Sequence, residues 1–208
     1  MVFGFFTAKK DLTAGTALTT HLGLCKIGGQ KIECIRKVYS KEEFESVSSV
    51  IAEHRSIIEK YGPKIHQIDE KKRTIYIEYF DCVPLDDYIT ESINPWEKEG
   101  FSELKTIIEK IHKSLSDLNN KGYCHNDTNL GNFLLCKEDM SIRIIDFDTL
   151  TKEKKCRDIS DISSHIIDAL SDNVIIRKQK MTSVFEAQES SIVSLLKSMD
   201  KKKLFKFK

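Results

Sequence analysis

The chain has 208 residues, with 33 Lys plus Arg against 32 Asp plus Glu and 40% hydrophobic residues, the composition of a globular protein of one domain or two small lobes. A formal net charge of +1 creates no global positive field, so nucleic acid is not an expected partner. No stretch approaches the roughly 18 consecutive apolar residues of a membrane span, and Met1–Phe6 is too short, with Lys9 and Lys10 on the wrong side, for a signal peptide, so a cytoplasmic location is expected.

His21–Ile27 and Lys31–Tyr39 are β-prone runs separated by Gly28 and Gly29, a turn dipeptide that suits a hairpin. The period then changes. Ser40 followed by Glu43 forms a capping box, and Phe44, Val47, Ile51, His54, Ile58 and Tyr61 recur at helical spacing until Gly62 and Pro63. The spacing predicts a helix over 41–61. Ile65–Ile68 and Thr74–Phe80 again read as strands, which gives a strand-rich lobe over residues 1–80.

Residues 81–208 read as a helical lobe. Pro84–Thr90 starts a short helix, and Leu104, Ile107, Ile108, Ile111, Leu115 and Leu118 mark a long amphipathic helix closed by Gly122. Two short apolar strands follow, Phe133–Cys136 and Ile142–Phe147, and from Asp158 onward the chain reads as helical. The six cysteines, at 25, 34, 82, 124, 136 and 156, form no CxxC pair and no zinc-like spacing. Their expected state is a buried, reduced thiol.

The chemistry concentrates in 122–148. His125, Asp127 and Asn132 lie in a polar loop after the long helix, and the hairpin beyond ends in Asp146, Phe147 and Asp148. Two carboxylates and an amide oxygen are hard oxygen ligands, suited to Mg²⁺ bridging nucleotide phosphates. This pattern resembles the protein-kinase-like superfamily: His125, Asp127 and Asn132 match its catalytic loop, and Asp146, Phe147 and Asp148 its metal-binding motif. The resemblance implies a two-lobed α+β fold with ATP and Mg²⁺ as cofactors. It makes Asp127 the base that orients an acceptor hydroxyl, Asn132 and Asp146 the Mg²⁺ ligands, and His125 a brace beneath the loop.

The same resemblance calls for a lysine and a partner glutamate in the strand lobe. Lys37 occupies the place of the phosphate-binding lysine, with Arg36 as its neighbour and competitor. Glu53, between Val50 and Ile57 on a partly apolar stripe of the first helix, is its expected partner, because a carboxylate there needs a cation. The phosphate-covering loop is expected at Gly15 and Ala17, although Ala17 and Thr20 stand where the superfamily has its other glycines and a Cβ makes close backbone approach harder. Glu78 and Phe80 fall in the segment whose backbone receives adenine.

Three departures matter, and the last selects the branch. Asn129 stands in place of a catalytic-loop lysine, Asp148 in place of the glycine of the metal motif, and only nine residues separate Asp148 from Asp158, which leaves no long activation segment. The chain is similar in this respect to compact kinases, including the bacterial lipopolysaccharide core heptose kinases, which Ile77–Asp86, Gly131–Leu134, Ile142–Asp146 and Lys154–Asp161 also resemble. The likeness runs from Lys37 to His165. It implies γ-phosphoryl transfer from Mg·ATP to a hydroxyl, with a lipopolysaccharide core sugar as the acceptor. The alternatives are a compact serine/threonine protein kinase and a nucleotide-binding pseudokinase. Asp158, or else Asp161, is expected to anchor the catalytic loop from the helix below it. The basic run Lys201–Lys208 could dock peripherally on the anionic leaflet of an inner membrane.

Overall fold

A computed structural model describes residues 6–12, 16–94, 97–177 and 194. It is a mixed α+β structure with antiparallel sheets, and the chain divides into two compact units: Met1–Asp81 with Ile145–Leu150, and Cys82–Ile144 with Thr151–Lys208.

The first unit is built on a five-stranded sheet of β1 (Thr7–Leu12), β2 (Thr19–Ile27), β3 (Gln30–Val38), β4 (Ile65–Asp69) and β5 (Thr74–Glu78) in the order β1-β2-β3-β5-β4, every pairing antiparallel. The β2–β3 hairpin turns through Gly28 and Gly29 at φ 58° and 90°, a conformation glycine adopts without the Cβ penalty. Helix α1 (Lys41–Tyr61) starts at the expected capping box, Ser40 Oγ accepting from the Glu43 N–H while Glu43 accepts from the Ser40 N–H. It buries Phe44, Val47, Ile51, His54 and Ile58 and lies against β4 and the turn Phe147–Thr149.

Period-two geometry gives the sheet two distinct faces. One carries the cluster Cys25, Cys34 and Tyr76, with Phe6, Ile27 and Ile32 packed against it. On the other, Thr20, Lys37 and Ile75 are directly opposed across β2, β3 and β5, and Leu22, Ile35 and Ile77 form the next row. β1 was not legible in the sequence. Five of its six residues are exposed, so this edge strand lacks the alternation that marks a half-buried one.

The second unit contains β6 (Val83–Pro84), α2 (Leu85–Asp87), α3 (Lys98–Asn120), β7 (Tyr123–Cys124), β8 (Phe133–Cys136), β9 (Ser141–Ile144), β10 (Thr151–Lys152) and α4 (Asp158–Arg177). α3 buries the six residues of its predicted stripe, Leu104, Ile107, Ile108, Ile111, Leu115 and Leu118. Gly122, at φ 81°, turns the chain out of it. β6, β8 and β9 form a three-stranded sheet, and β7 pairs with β10.

Three expectations need correction here. The short helix at Pro84–Thr90 is one turn, Leu85–Asp87, continued by a π-helical turn over Tyr88–Ser92. The strand expected over Ile142–Phe147 stops at Ile144, because Asp146 takes a left-handed conformation, φ 60° and ψ 63°, that breaks the ladder. Four of the six cysteines are disulfide-bonded and not reduced thiols: Cys82 with Cys136, Cα atoms 4.4 Å apart, and Cys124 with Cys156, 5.3 Å apart. Strand pairing accounts for the first, since Val83 and Leu135, the next residues inward, are opposed in β6 and β8. Only Cys25 and Cys34 remain free, and both are buried. The basic run Lys201–Lys208 lies outside the described residues. Among the described residues no helix is long and apolar enough to cross a membrane.

Candidate active site

The loop between β7 and β8 is held from below by one carboxylate. Asp158, at the first turn of α4 and 1% exposed, accepts from the backbone N–H groups of His125 (2.8 Å) and Asn126 (3.1 Å) and from Asn119 Nδ2 (2.8 Å). Asn119 also donates to the Tyr123 carbonyl at 2.9 Å. The buried His125 amide and the Asn126 amide therefore share a charged acceptor, and Asn126 is held at φ 64°. The alternative anchor, Asp161, receives among the described residues a single 3.4 Å side-chain contact, from Ser160 Oγ. The disulfide Cys124–Cys156 closes beside this anchor, at the residue before His125 and two before Asp158. The His125 ring is fully buried and packs near Phe133, ring centroids 6.5 Å apart.

On this support Asp127 is held by two amides. Its Oδ1 accepts from Asn129 Nδ2 at 2.7 Å and its Oδ2 from Asn132 Nδ2 at 2.8 Å, while Asn132 also reaches the Asp127 carbonyl at 3.1 Å. Asn129 thus donates to the Asp127 carboxylate and helps to fix its orientation. With the Asn132 nitrogen spent on Asp127, its amide oxygen is the atom left to act as a hard ligand.

Lys37 is the centre of the second group of residues. Its Nζ lies 2.6 Å from Asp146 Oδ1 and 3.8 Å from Asp148 Oδ2, and the Tyr39 hydroxyl donates to Asp148 Oδ2 at 3.1 Å. Tyr39 is two residues from Lys37 and almost fully buried. Burial alone would depress the lysine; Asp148 and Asp146 outweigh it and hold the ammonium above its ordinary range. Asp148 is pushed up by burial, against the lowering by Lys37 and Tyr39. Arg36, the competitor, points to the other face of the sheet, its guanidinium 4.5 Å from the Phe6 ring centroid.

The expected Lys37–Glu53 pair is not formed. The Glu53 side chain is 70% exposed and sits 3.6 Å from His54 Nε2. Helix geometry gives the reason: the buried stripe runs through Ile51, His54 and Ile58, and Glu53 falls beside it, on the solvent flank. The counter-ions of Lys37 are Asp146 and Asp148. Ala17 is buried, and Gly15 lies outside the described residues. The Glu78 N–H is spent on the Lys64 carbonyl at 2.9 Å, and its carboxylate accepts from the Lys64 N–H at 3.0 Å, so that donor is not available to adenine. Phe80 is half-buried just beyond β5.

Asp146 and Asp148 on the first unit, and Asp127 and Asn132 on the second, each offer hard oxygen donors of the kind Mg²⁺ accepts. Among the described residues no group of three or more His, Cys, Asp or Glu is placed to hold an ion. Mg²⁺ bound through one or two carboxylates draws its remaining ligands from phosphates and water. The sheet face that carries Lys37 also carries apolar and hydroxyl groups. The half-buried apolar row Leu22, Ile35 and Ile77 runs beside the cation, and the buried Thr20 Oγ1 has no hydrogen-bond partner among the described residues. No protein-family model matches the chain, and no curated protein matches it.

Proposed function

We propose that the protein is an ATP-dependent phosphotransferase of the two-lobed protein-kinase-like type, with a shortened activation segment, that moves the γ-phosphoryl group of Mg·ATP to a hydroxyl. The observation that carries this reading is the meeting of Lys37 with Asp146 at 2.6 Å. Each residue was singled out for a separate role with phosphate or metal, and they are brought together from 109 positions apart. Lys37 binds and orients the phosphate chain. Asp127, held by Asn129 and Asn132, accepts a hydrogen bond from the acceptor hydroxyl and takes its proton as the new P–O bond forms and ADP leaves. Asn132 and Asp146 would hold Mg²⁺, which neutralises charge on the phosphates when bound. Positioning and charge neutralisation supply most of the acceleration.

For the acceptor, we favour a sugar hydroxyl of a lipopolysaccharide-type core over an extended peptide. Thr151 and Lys152 are paired with Cys124 and Tyr123, the Glu153 N–H donates to the Gly122 carbonyl, and Cys156 is in a disulfide. The segment where a peptide platform would form is consumed in bracing the loop. A cytoplasmic protein whose basic tail touches an anionic membrane surface would meet such a glycolipid. Purified protein with labelled ATP and Mg²⁺ should label dephosphorylated core glycan and not a peptide library. Asp127→Asn should lower kcat by roughly 10² to 10⁴ with Mg·ATP affinity kept. Labelling of peptide alone would move the assignment to a protein kinase. Nucleotide binding without transfer to either would make the protein a pseudokinase, the reading that the missing Lys37–Glu53 pair favours.

A further inference from the structure

Thr20 is 7% exposed, and its Oγ1 is buried with no hydrogen-bond partner among the described residues. Most buried hydroxyls find a partner, so one that has none marks either a cost or the place of an absent ligand. Its position decides between these. Thr20 in β2 is directly opposite Lys37 in β3, and opposed residues in an antiparallel pair project from the same face. The hydroxyl therefore belongs to the surface that carries the Lys37 ammonium and, one row along, the apolar strip Leu22, Ile35 and Ile77. A cation and an unpaired hydroxyl side by side make a recognition pair for an oxyanion.

We propose that Thr20 is a phosphate-binding residue, its hydroxyl donating a hydrogen bond to an oxygen of the nucleotide phosphate chain that Lys37 neutralises. This rests on the nucleotide reading of the same face and adds to it a ligand contact. A glycine at this position would let backbone come close to phosphate; threonine instead contributes a side-chain donor. The orphaned hydroxyl of the free protein is then the donor that the bound phosphate satisfies.

The test uses the full chain, wild type and the variants Thr20→Val and Thr20→Ser, with Mg·ATP affinity measured by calorimetry and the melting temperature of the free protein by scanning calorimetry. Valine keeps the shape and removes the hydroxyl, while serine keeps the hydroxyl. The expected result is a loss of about tenfold in Mg·ATP affinity for Thr20→Val, the scale of one hydrogen bond to a charged group. Thr20→Ser should stay within about twofold of wild type. The free Thr20→Val protein should melt no lower than wild type, because a buried unpaired hydroxyl has been removed. Unchanged affinity in Thr20→Val, or equal loss in Thr20→Val and Thr20→Ser, overturns the role of Thr20 while leaving nucleotide binding in place. Failure of the wild-type protein to bind Mg·ATP overturns the nucleotide reading, and this proposal with it.

Discussion

Lys37 and Asp146 are 109 positions apart in the chain and 2.6 Å apart in space, and the acid next in line for the same ammonium is Asp148, not a helix glutamate. A strand and a motif far along the sequence thus supply both charges of the buried cluster, and Glu53 of α1 does not join it. The consequence is a division of labour that mutation can read. Lys37→Met should cost about 3 kcal/mol of transition-state stabilisation, the scale of one preorganised charge in a desolvated site. Glu53→Gln, on an exposed side chain, should leave kcat/KM unchanged and stability within about 0.5 kcal/mol. Arg36→Met should also spare turnover, since Arg36 faces Phe6. Loss of turnover in Glu53→Gln equal to that in Lys37→Met would restore the glutamate to the mechanism.

Tyr39 holds Asp148 through its hydroxyl, and its environment gives that contact a pH signature. Burial, followed by the charges of Asp148 and Asp146, pushes the phenol well above its ordinary range. In the unfolded chain the group titrates near 10. A group whose folded value is raised contributes stability that is complete below the unfolded value and is lost as pH climbs toward the folded one. Tyr39→Phe should therefore cost about 1 to 2 kcal/mol between pH 6 and 9. Above about pH 10 the gap should close by up to about 1.4 kcal/mol per pH unit, read from denaturant unfolding at each pH. A gap that widens with alkalinity would show that the phenol is not held protonated.

How much of this was written in the sequence depends on the range of the interaction concerned. α1 and α3 were legible because capping and apolar spacing are local: the Ser40–Glu43 box and the Leu104-to-Leu118 stripe appear where they were expected. Lys37 was singled out by the motif resemblance with Arg36 as competitor, and strand period two puts the two on opposite faces of the sheet. Tyr39 was within reach of the same rule, as it shares the face of Lys37, but its aromatic character reads simply as strand propensity. Glu53 failed because its two apolar neighbours, Val50 and Ile57, are not the residues that define the buried stripe, and one helical step separates burial from solvent. The disulfides were hidden because cysteine spacing carries no pairing information. They also strain the cytoplasmic expectation, since such bonds persist mainly in oxidising compartments.

Asp158 should be the most costly single acid to remove from the second unit. Asp158→Ala removes the acceptor shared by the His125 and Asn126 amides and Asn119 Nδ2, and each lost hydrogen bond to a charged group costs about 1.5 to 3 kcal/mol. A loss of at least about 3 kcal/mol in denaturant unfolding is expected, with faster hydrogen exchange at His125 and Asn126. Asp161→Ala should change stability by no more than about 0.5 kcal/mol. Comparable losses in the two variants would mean that the loop is not anchored through Asp158.

The two disulfides differ in their closeness along the chain to the loop anchor at Asp158. Cys124–Cys156 spans 32 positions and encloses the whole of 125–155, while Cys82–Cys136 spans 54 and clamps the β6–β8 pair. Chain-entropy reasoning assigns each about 3 to 4 kcal/mol, with little difference for loop length. The location makes them unequal in effect. Cys124 directly precedes His125, so opening its bond frees the loop next to the Asp158 anchor, whereas opening Cys82–Cys136 leaves that anchor intact. Thiol titration of the unreduced, denatured protein should find two free thiols, Cys25 and Cys34, and six after a dithiol reductant. Cys124→Ala with Cys156→Ala should lower stability by about 2 to 4 kcal/mol and raise hydrogen exchange at His125 and Asn126. Cys82→Ala with Cys136→Ala should lower stability to a similar degree without altering exchange there. Six free thiols before reduction would return all the cysteines to the reduced state that their spacing first suggested.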